Sequence, residues 1–271
     1  MLTLAEALSA ARHRIDRLDA RLLLQAATGC THADLLARSE MPVVAPSYAR
    51  FQEWVERRAV GEPLAYLLGE AEFRGRVFQV SPDVLIPRPE TEVLIELALA
   101  RLRGLPAAKV LDLGTGSGIV AISLALECPS AQIATVDVSN AAISVARNNA
   151  GRLGASVEFL EGDWFAPVAG RRFDLIVANP PYVADGDPHL VLDGLPFEPQ
   201  IALTAGADGL SCIRRIVASA PAHLAVGGCL LFEHGYDQGV ASRNLLSEGA
   251  FKAPLTYSDL AGTDRVSGAC L

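Results

Sequence analysis

The chain has 271 residues, 51% of them hydrophobic, and a formal charge of -8, enough for a substantial core in one large domain or two unequal ones. The acidic balance argues against a protein that holds nucleic acid mainly through its phosphates, while leaving a local basic patch open. No uninterrupted apolar run reaches the roughly 20 residues of a membrane-spanning helix, and Glu6 and Arg12 to Arg14 interrupt the amino-terminal stretch, so a soluble, cytoplasmic protein without a signal peptide is expected.

Taken in order, residues 1–70 predict a small helical domain. Thr3 with Glu6 makes a capping-box pattern, and Leu4, Leu8, Ala11 and Ile15 share one helical face. A second helix over Asp16 to Thr28, with Leu22, Leu23 and Ala26, stops at Gly29, and a short third helix starts at Thr31. After Pro42 and Pro46, Tyr48, Phe51 and Val55 form another stripe, closed by Gly61 and Pro63. The pattern fits a recognition module for a partner or substrate, and equally a structural cap.

Residues 71–84 predict a hairpin linker, with Gly75 at the bend of Phe73-Arg74-Gly75-Arg76-Val77-Phe78. Residues 85–271 then open on Ile86-Pro87-Arg88-Pro89-Glu90-Thr91-Glu92, a functional loop or a rigid helix start. From Lys109 onward, strand and helix patterns alternate, which predicts a mostly parallel sheet with helices on both faces. The five cysteines, Cys30, Cys128, Cys212, Cys229 and Cys270, are scattered and lack a Cys-x-x-Cys pair. Reduced, mostly packing thiols are expected, not disulfides or metal ligands.

Three strand ends carry polar motifs. Asp112-Leu113-Gly114-Thr115-Gly116-Ser117-Gly118 closes one strand and opens a helix; its alternate glycines permit a tight turn and close backbone approach to a ligand. It is neither the G-x-G-x-x-G of a dinucleotide site nor a P-loop. About twenty residues later Asp137 ends the next strand, placed to accept hydrogen bonds from ribose hydroxyls or to cap the following helix. Gly162-Asp163-Trp164-Phe165 ends the third, where Asp163 and Trp164 can hold an adenine or Trp164 can be core. A fourth strand, Phe173 to Ala178, runs into Asn179-Pro180-Pro181-Tyr182. Two residues without backbone N–H groups end a sheet ladder, so this segment leaves as a stiff, carbonyl-rich loop at the strand's carboxyl end.

This order of motifs resembles S-adenosylmethionine-dependent methyltransferases acting on planar amide or amino nitrogens. The Pro87-Arg88-Pro89 segment, Glu198-Pro199, Asp208-Gly209-Leu210 and Gly262-Thr263-Asp264-Arg265-Val266 make the whole chain similar to release factor glutamine methyltransferases, the PrmC or HemK family. The resemblance implies a Rossmann-like, seven-stranded α/β methyltransferase domain behind a small all-helical amino-terminal domain and a β-hairpin linker. It implies methylation of the glutamine side-chain amide in the Gly-Gly-Gln motif of class I peptide chain release factors. By motif, Asp112, Gly114, Thr115, Gly116, Ser117, Gly118, Asp137, Asp163, Trp164 and Asn179 would contact S-adenosylmethionine. Asn179, Pro180, Pro181 and Tyr182, with Arg88, would meet the substrate, and Asn179, Pro180 and Tyr182 would serve catalysis. The alternative is methylation of an exocyclic amino group of DNA or RNA, which the acidic balance and the lack of a basic arm disfavour. Neither membrane association nor direct nucleic-acid binding is expected.

Overall fold

The computed structural model describes residues 2–271; Met1, which the sequence reading places in the helical domain, lies outside them. The chain forms two compact units, one of residues up to Glu70 together with Val191–Phe197, the other of Ala71–Leu190 and Glu198–Leu271.

The smaller unit holds α1 (Leu4–Ala11), α2 (Arg17–Thr28), α3 (His32–Ala37), α4 (Ala45–Ala59) and α5 (Leu64–Leu68). The Thr3–Glu6 capping box forms, and α2 stops at Gly29 in the left-handed conformation at φ 75°. Two expected face assignments are corrected: Ala26 is exposed and Leu22 only half-buried, because α2 buries Ala20, Leu23, Leu24 and Ala27 instead. Ile15 lies beyond the end of α1. The sequence reading missed α5, whose 5 residues are too few to display a helical period.

From Glu70, the last residue of the smaller unit's first segment, the chain enters β1 (Glu70–Phe73), which forms the expected hairpin with β2 (Arg76–Gln79). Arg74 and Gly75 both take positive φ at its tip, as a two-residue hairpin of this hand requires. Its role differs from a free linker. Phe73 and Phe78 are buried in the same core as Leu94 and Val110, and Asn149 exchanges hydrogen bonds with both backbone groups of Gln79.

There follow α6 (Thr91–Leu102), β3 (Lys109–Leu113), α7 (Ile119–Glu127), β4 (Gln132–Asp137), α8 (Asn140–Leu153), β5 (Glu158–Glu161), β6 (Phe173–Ala178), α9 (Ser211–His223), β7 (Leu224–Glu233), α10 (Gly239–Glu248), β8 (Lys252–Ser258) and β9 (Asp264–Cys270). The 7-stranded sheet has the order β5-β4-β3-β6-β7-β9-β8, with β9 antiparallel to both neighbours. Apolar residues alternate between its two faces, as a strand period of two demands. Val110, Leu175 and Val177 pack with α6 and α7, whereas Leu111, Leu113, Ile176 and Ala178 pack with α9.

The expectation of five reduced thiols is overturned. Cys229 and Cys270 form a disulfide, leaving Cys30, Cys128 and Cys212 free. The two residues face each other across β7 and β9, a pairing that their separation of 41 residues conceals.

Candidate active site

After β3 the chain winds outward to β4 and β5, then crosses back to lay β6 along the other side of β3. Open α/β sheets bind ligands at this kind of switch point, beyond the carboxyl ends of the strands. The register aligns Leu113 with Ala178, so the glycine loop and the Asn-Pro-Pro-Tyr loop emerge side by side. A cavity of about 310 Å³ opens there, within the larger unit, lined by Gly114, Thr115, Gly116, Ser117, Asp137, Asp163, Trp164, Asn179, Pro181 and Arg88 among others. Most of the expected site residues therefore share one wall.

Helix α7 starts at Gly118, whose φ of 88° excludes most side chains; a Cβ there would also sit 2.7 Å from Ile122. The loop is held by the neighbouring strand end: Asp137 accepts the Gly116 N–H at 3.0 Å and the Ser139 N–H at 2.9 Å. Ser139 rather than Asp137 caps α8. Burial raises the Asp137 pKa, against the lowering effect of those N–H groups. Asn149, unremarked in the sequence, bonds the Ser117 carbonyl at 2.9 Å as well as Gln79, tying the loop to the hairpin.

Asp112 lies elsewhere than expected of a ligand contact. It is 1% exposed, beneath the glycine loop, with Oδ2 accepting the Thr135 hydroxyl at 2.8 Å and Oδ1 without a partner at full hydrogen-bond geometry. Desolvation pushes its pKa up to about 7, opposed first by the Thr135 hydrogen bond. Asp163 is exposed and bonds Arg215 at 2.6 Å. Trp164 takes φ 48° and both lines the cavity and packs on the core, so the two readings of this residue coexist.

The loop after β6 divides its residues. Asn179 and Pro181 line the cavity, whereas Pro180 is buried. The Tyr182 hydroxyl donates to Glu233 Oε1 at 3.2 Å. Its carbonyl accepts from Gln238 at 2.9 Å, and a Cβ at Gly209 would approach that carbonyl to 2.2 Å, which explains the Asp208-Gly209 motif. Arg88 pairs with the buried Glu198, whose other oxygen accepts the Ile86 N–H at 3.0 Å. Glu198 thereby pins the proline-flanked loop at two points.

Further polar residues support this wall, Thr91 lining the cavity itself and Glu233 lying buried. Thr91, the first residue of α6, accepts from Asn179 Nδ2 at 3.1 Å. Glu233, the last of β7, is 1% exposed, and its Oε2 has no partner at full hydrogen-bond geometry. Desolvation raises its pKa to about 7, with the Thr91 and Tyr182 hydroxyls acting in the opposite direction. Burial likewise raises the Tyr182 pKa, helped by the adjacent Glu233. The pair Glu233-His234 reads in the sequence as a weak candidate for the crevice rim; His234 is instead buried, with Nε2 2.9 Å from the Ser267 hydroxyl and Nδ1 2.8 Å from the Gly235 carbonyl.

Residues 3–69 match the PrmC N-terminal domain family and residues 90–193 the Methyltransferase small domain family. The release factor glutamine methyltransferase of Bordetella pertussis is 48% identical over 95% of this chain and 96% of its own. That of Neisseria gonorrhoeae is 49% identical over 94% of this chain and 93% of its own. The chain belongs to the release factor glutamine methyltransferase family. Solved structures agree in fold. A T. thermophilus 16S rRNA methyltransferase in complex with AdoMet and guanosine superposes with TM-score 0.55 at 24% identity, covering 74% of this chain and 49% of that one. A Pyrococcus furiosus methyltransferase gives 0.52 at 16%, covering 84% and 98%. In this member of the family, Asn149 went unnamed in the sequence reading, Thr91 and Glu198 entered it only inside motifs without a role of their own, and Glu233 only as a weak candidate for the crevice rim. One signal was present for Glu233, a carboxylate directly ending the apolar run Leu230-Leu231-Phe232.

Proposed function

We propose that the protein transfers a methyl group from S-adenosylmethionine to the side-chain amide nitrogen of the glutamine in the Gly-Gly-Gln motif of class I peptide chain release factors, in the cytoplasm. The observation that carries this reading is the placement of Asn179 on one cavity wall with the glycine loop and Asp137, at the crossover between β3 and β6.

The residues present fit the methyl donor. Asp137 offers carboxylate oxygens for ribose hydroxyls, Trp164 an aromatic face, and the glycine loop backbone that a ligand can approach closely. Bound there, S-adenosylmethionine supplies an electrophilic sulfonium methyl, and transfer forms the N–C bond while the S–C electron pair returns to sulfur. A glutamine nitrogen is a poor nucleophile because its lone pair is delocalised into the carbonyl. The Asn179 side-chain oxygen and the Pro180 carbonyl accept its two N–H groups, which fixes the NH₂ plane and stabilises positive charge developing on nitrogen. Tyr182 packs against the planar group. The nitrogen becomes acidic only as it gains the methyl, so its proton leaves to solvent afterwards and no strong base is needed before attack. Positioning of this kind contributes roughly 7 to 11 kcal/mol at best.

A loop that recognises a planar amide cannot choose a protein; in this reading the helical unit and Arg88 select the release factor. Mass spectrometry of the release factor after reaction tests the chemistry: a methyl on the Gly-Gly-Gln glutamine is expected, and label found only in nucleic acid overturns it. Hydrogen exchange tests the selection. Added release factor should protect α1 to α5, and unchanged exchange there would remove the helical unit from substrate recognition.

A further inference from the structure

Resting on that reading, we infer that the Arg88–Glu198 pair sets the specificity of the acceptor site for a neutral amide. Arg88 donates to the carbonyl oxygen of the substrate glutamine, and Glu198, a positioning residue, balances the Arg88 charge so that a carboxylate is not drawn in. Asn179 and Pro180 account for the two N–H groups of that amide. Its oxygen also leaves water on entering the cavity, and a buried carbonyl without a donor is costly.

The structure brings a donor to the same wall. Arg88, Thr91 and Asn179 all line the cavity. The Thr91 N–H donates to the Arg88 carbonyl at 3.1 Å, and the Thr91 hydroxyl accepts from Asn179 Nδ2 at 3.1 Å. One tight turn therefore joins the arginine to the residue that touches the amide-holding asparagine. A guanidinium carries five N–H donors in a rigid fork. Glu198 takes one of them, from Nη2, and the Arg88 side chain is 31% exposed, open to a ligand.

Glu198 decides what kind of ligand that is. An arginine fork standing alone fits a carboxylate in bidentate fashion, and would favour glutamate over glutamine. Here the protein supplies the carboxylate itself. Glu198, its side chain 1% exposed, comes from 110 residues further along the chain, and its second oxygen accepts the Ile86 N–H at 3.0 Å. With Pro87 between the two anchored residues, the fork is held and its charge is balanced. Taking a carboxylate out of water is expensive even when it is paired. What it gives in return is a wall that donates hydrogen bonds without attracting anions. A balanced pair also draws less electron density into the amide carbonyl than a lone cation would, which leaves the nitrogen lone pair more available for methyl transfer.

The test uses the full-length enzyme, S-adenosylmethionine and two release factors, one natural and one whose Gly-Gly-Gln glutamine is replaced by glutamate. Calorimetry measures the binding of each, and steady-state kinetics the methylation of the first. Glu198→Gln keeps the shape and uncovers the Arg88 charge. It should bind the glutamate factor about 10- to 100-fold more tightly than wild type does, the worth of one charge-assisted hydrogen bond. Arg88→Met removes the donor and should raise KM for the natural factor about 10-fold or more, with S-adenosylmethionine binding retained and no gain for the glutamate factor. Adding Arg88→Met to Glu198→Gln should abolish the gain.

Equal affinity of wild type and Glu198→Gln for the glutamate factor overturns the inference, as does a gain that survives in the double variant or a wild-type KM in Arg88→Met. If Glu198→Gln melts below assay temperature, Arg88→Met decides alone through KM. A wild-type enzyme that leaves the natural factor unmethylated refutes the proposed substrate, and the affinity of Glu198→Gln for the glutamate factor then decides this inference separately.

Discussion

The two halves of the cavity are built in different ways. On the cofactor side, the wall is mostly backbone: a glycine loop whose shape is set by φ values and by N–H groups bonded to Asp137. On the acceptor side, the wall is a side chain held by other side chains, Asn179 by Thr91 and Tyr182 by Glu233, from distant parts of the chain. A backbone cradle tolerates change in its surroundings because its geometry is local. A side-chain relay depends on every member, and each buried polar group left unpaired costs about 1–3 kcal/mol.

This contrast predicts that damage to the two halves separates cleanly in kinetics. Asn179→Ala should cut turnover by about 100-fold or more, while S-adenosylmethionine binding measured by calorimetry largely persists. Asp137→Ala should do the reverse. It should weaken cofactor binding about 10- to 100-fold, the range for a charged hydrogen-bonding group, with a smaller loss of kcat at saturating cofactor. Crossed results, with Asn179→Ala failing to bind cofactor or Asp137→Ala failing in turnover alone, would break the distinction.

A subtler effect sharpens it. The folded protein holds Glu233 at about 7, above its ordinary 4.5, so between those values the native state binds more protons than the unfolded chain. The Glu233 contribution to stability is thus fully present below about 4.5 and lost as pH rises through about 7. Urea unfolding of Glu233→Gln should show a smaller fall in stability across that window than wild type. A steeper fall in the variant would contradict the burial assigned to this carboxylate. The smallest effect on chemistry belongs to the disulfide. Reducing Cys229–Cys270 should leave kcat unchanged and lower the melting temperature by a few degrees, since closing such a loop is worth about 2–4 kcal/mol.

The same contrast explains what the sequence made visible. Gly114 to Gly118, Asp137 and Asn179 each stand at the end of an apolar strand, and strand ends and glycines are local signals. The alternating pattern likewise revealed β6 with its observed bounds, Phe173–Ala178. What Thr91 and Glu233 do was not legible, because each finds its partner 88 and 51 residues away. Thr91 read as a helix start and Glu233 as a strand end, which they also are. The cysteine pair was hidden for the same reason, since only the insertion of β9 beside β7 brings it together.

That insertion bears on how the protein reaches its folded state. Strand β9 lies between β7 and β8, although both precede it in the chain. Until β9 docks, β7 presents one unpaired edge, and its Cys229–Glu233 segment is wholly apolar apart from its last residue. Such an edge recruits strands from other molecules. The strand that delivers Glu233 to the site is therefore also where an incompletely folded population begins to aggregate.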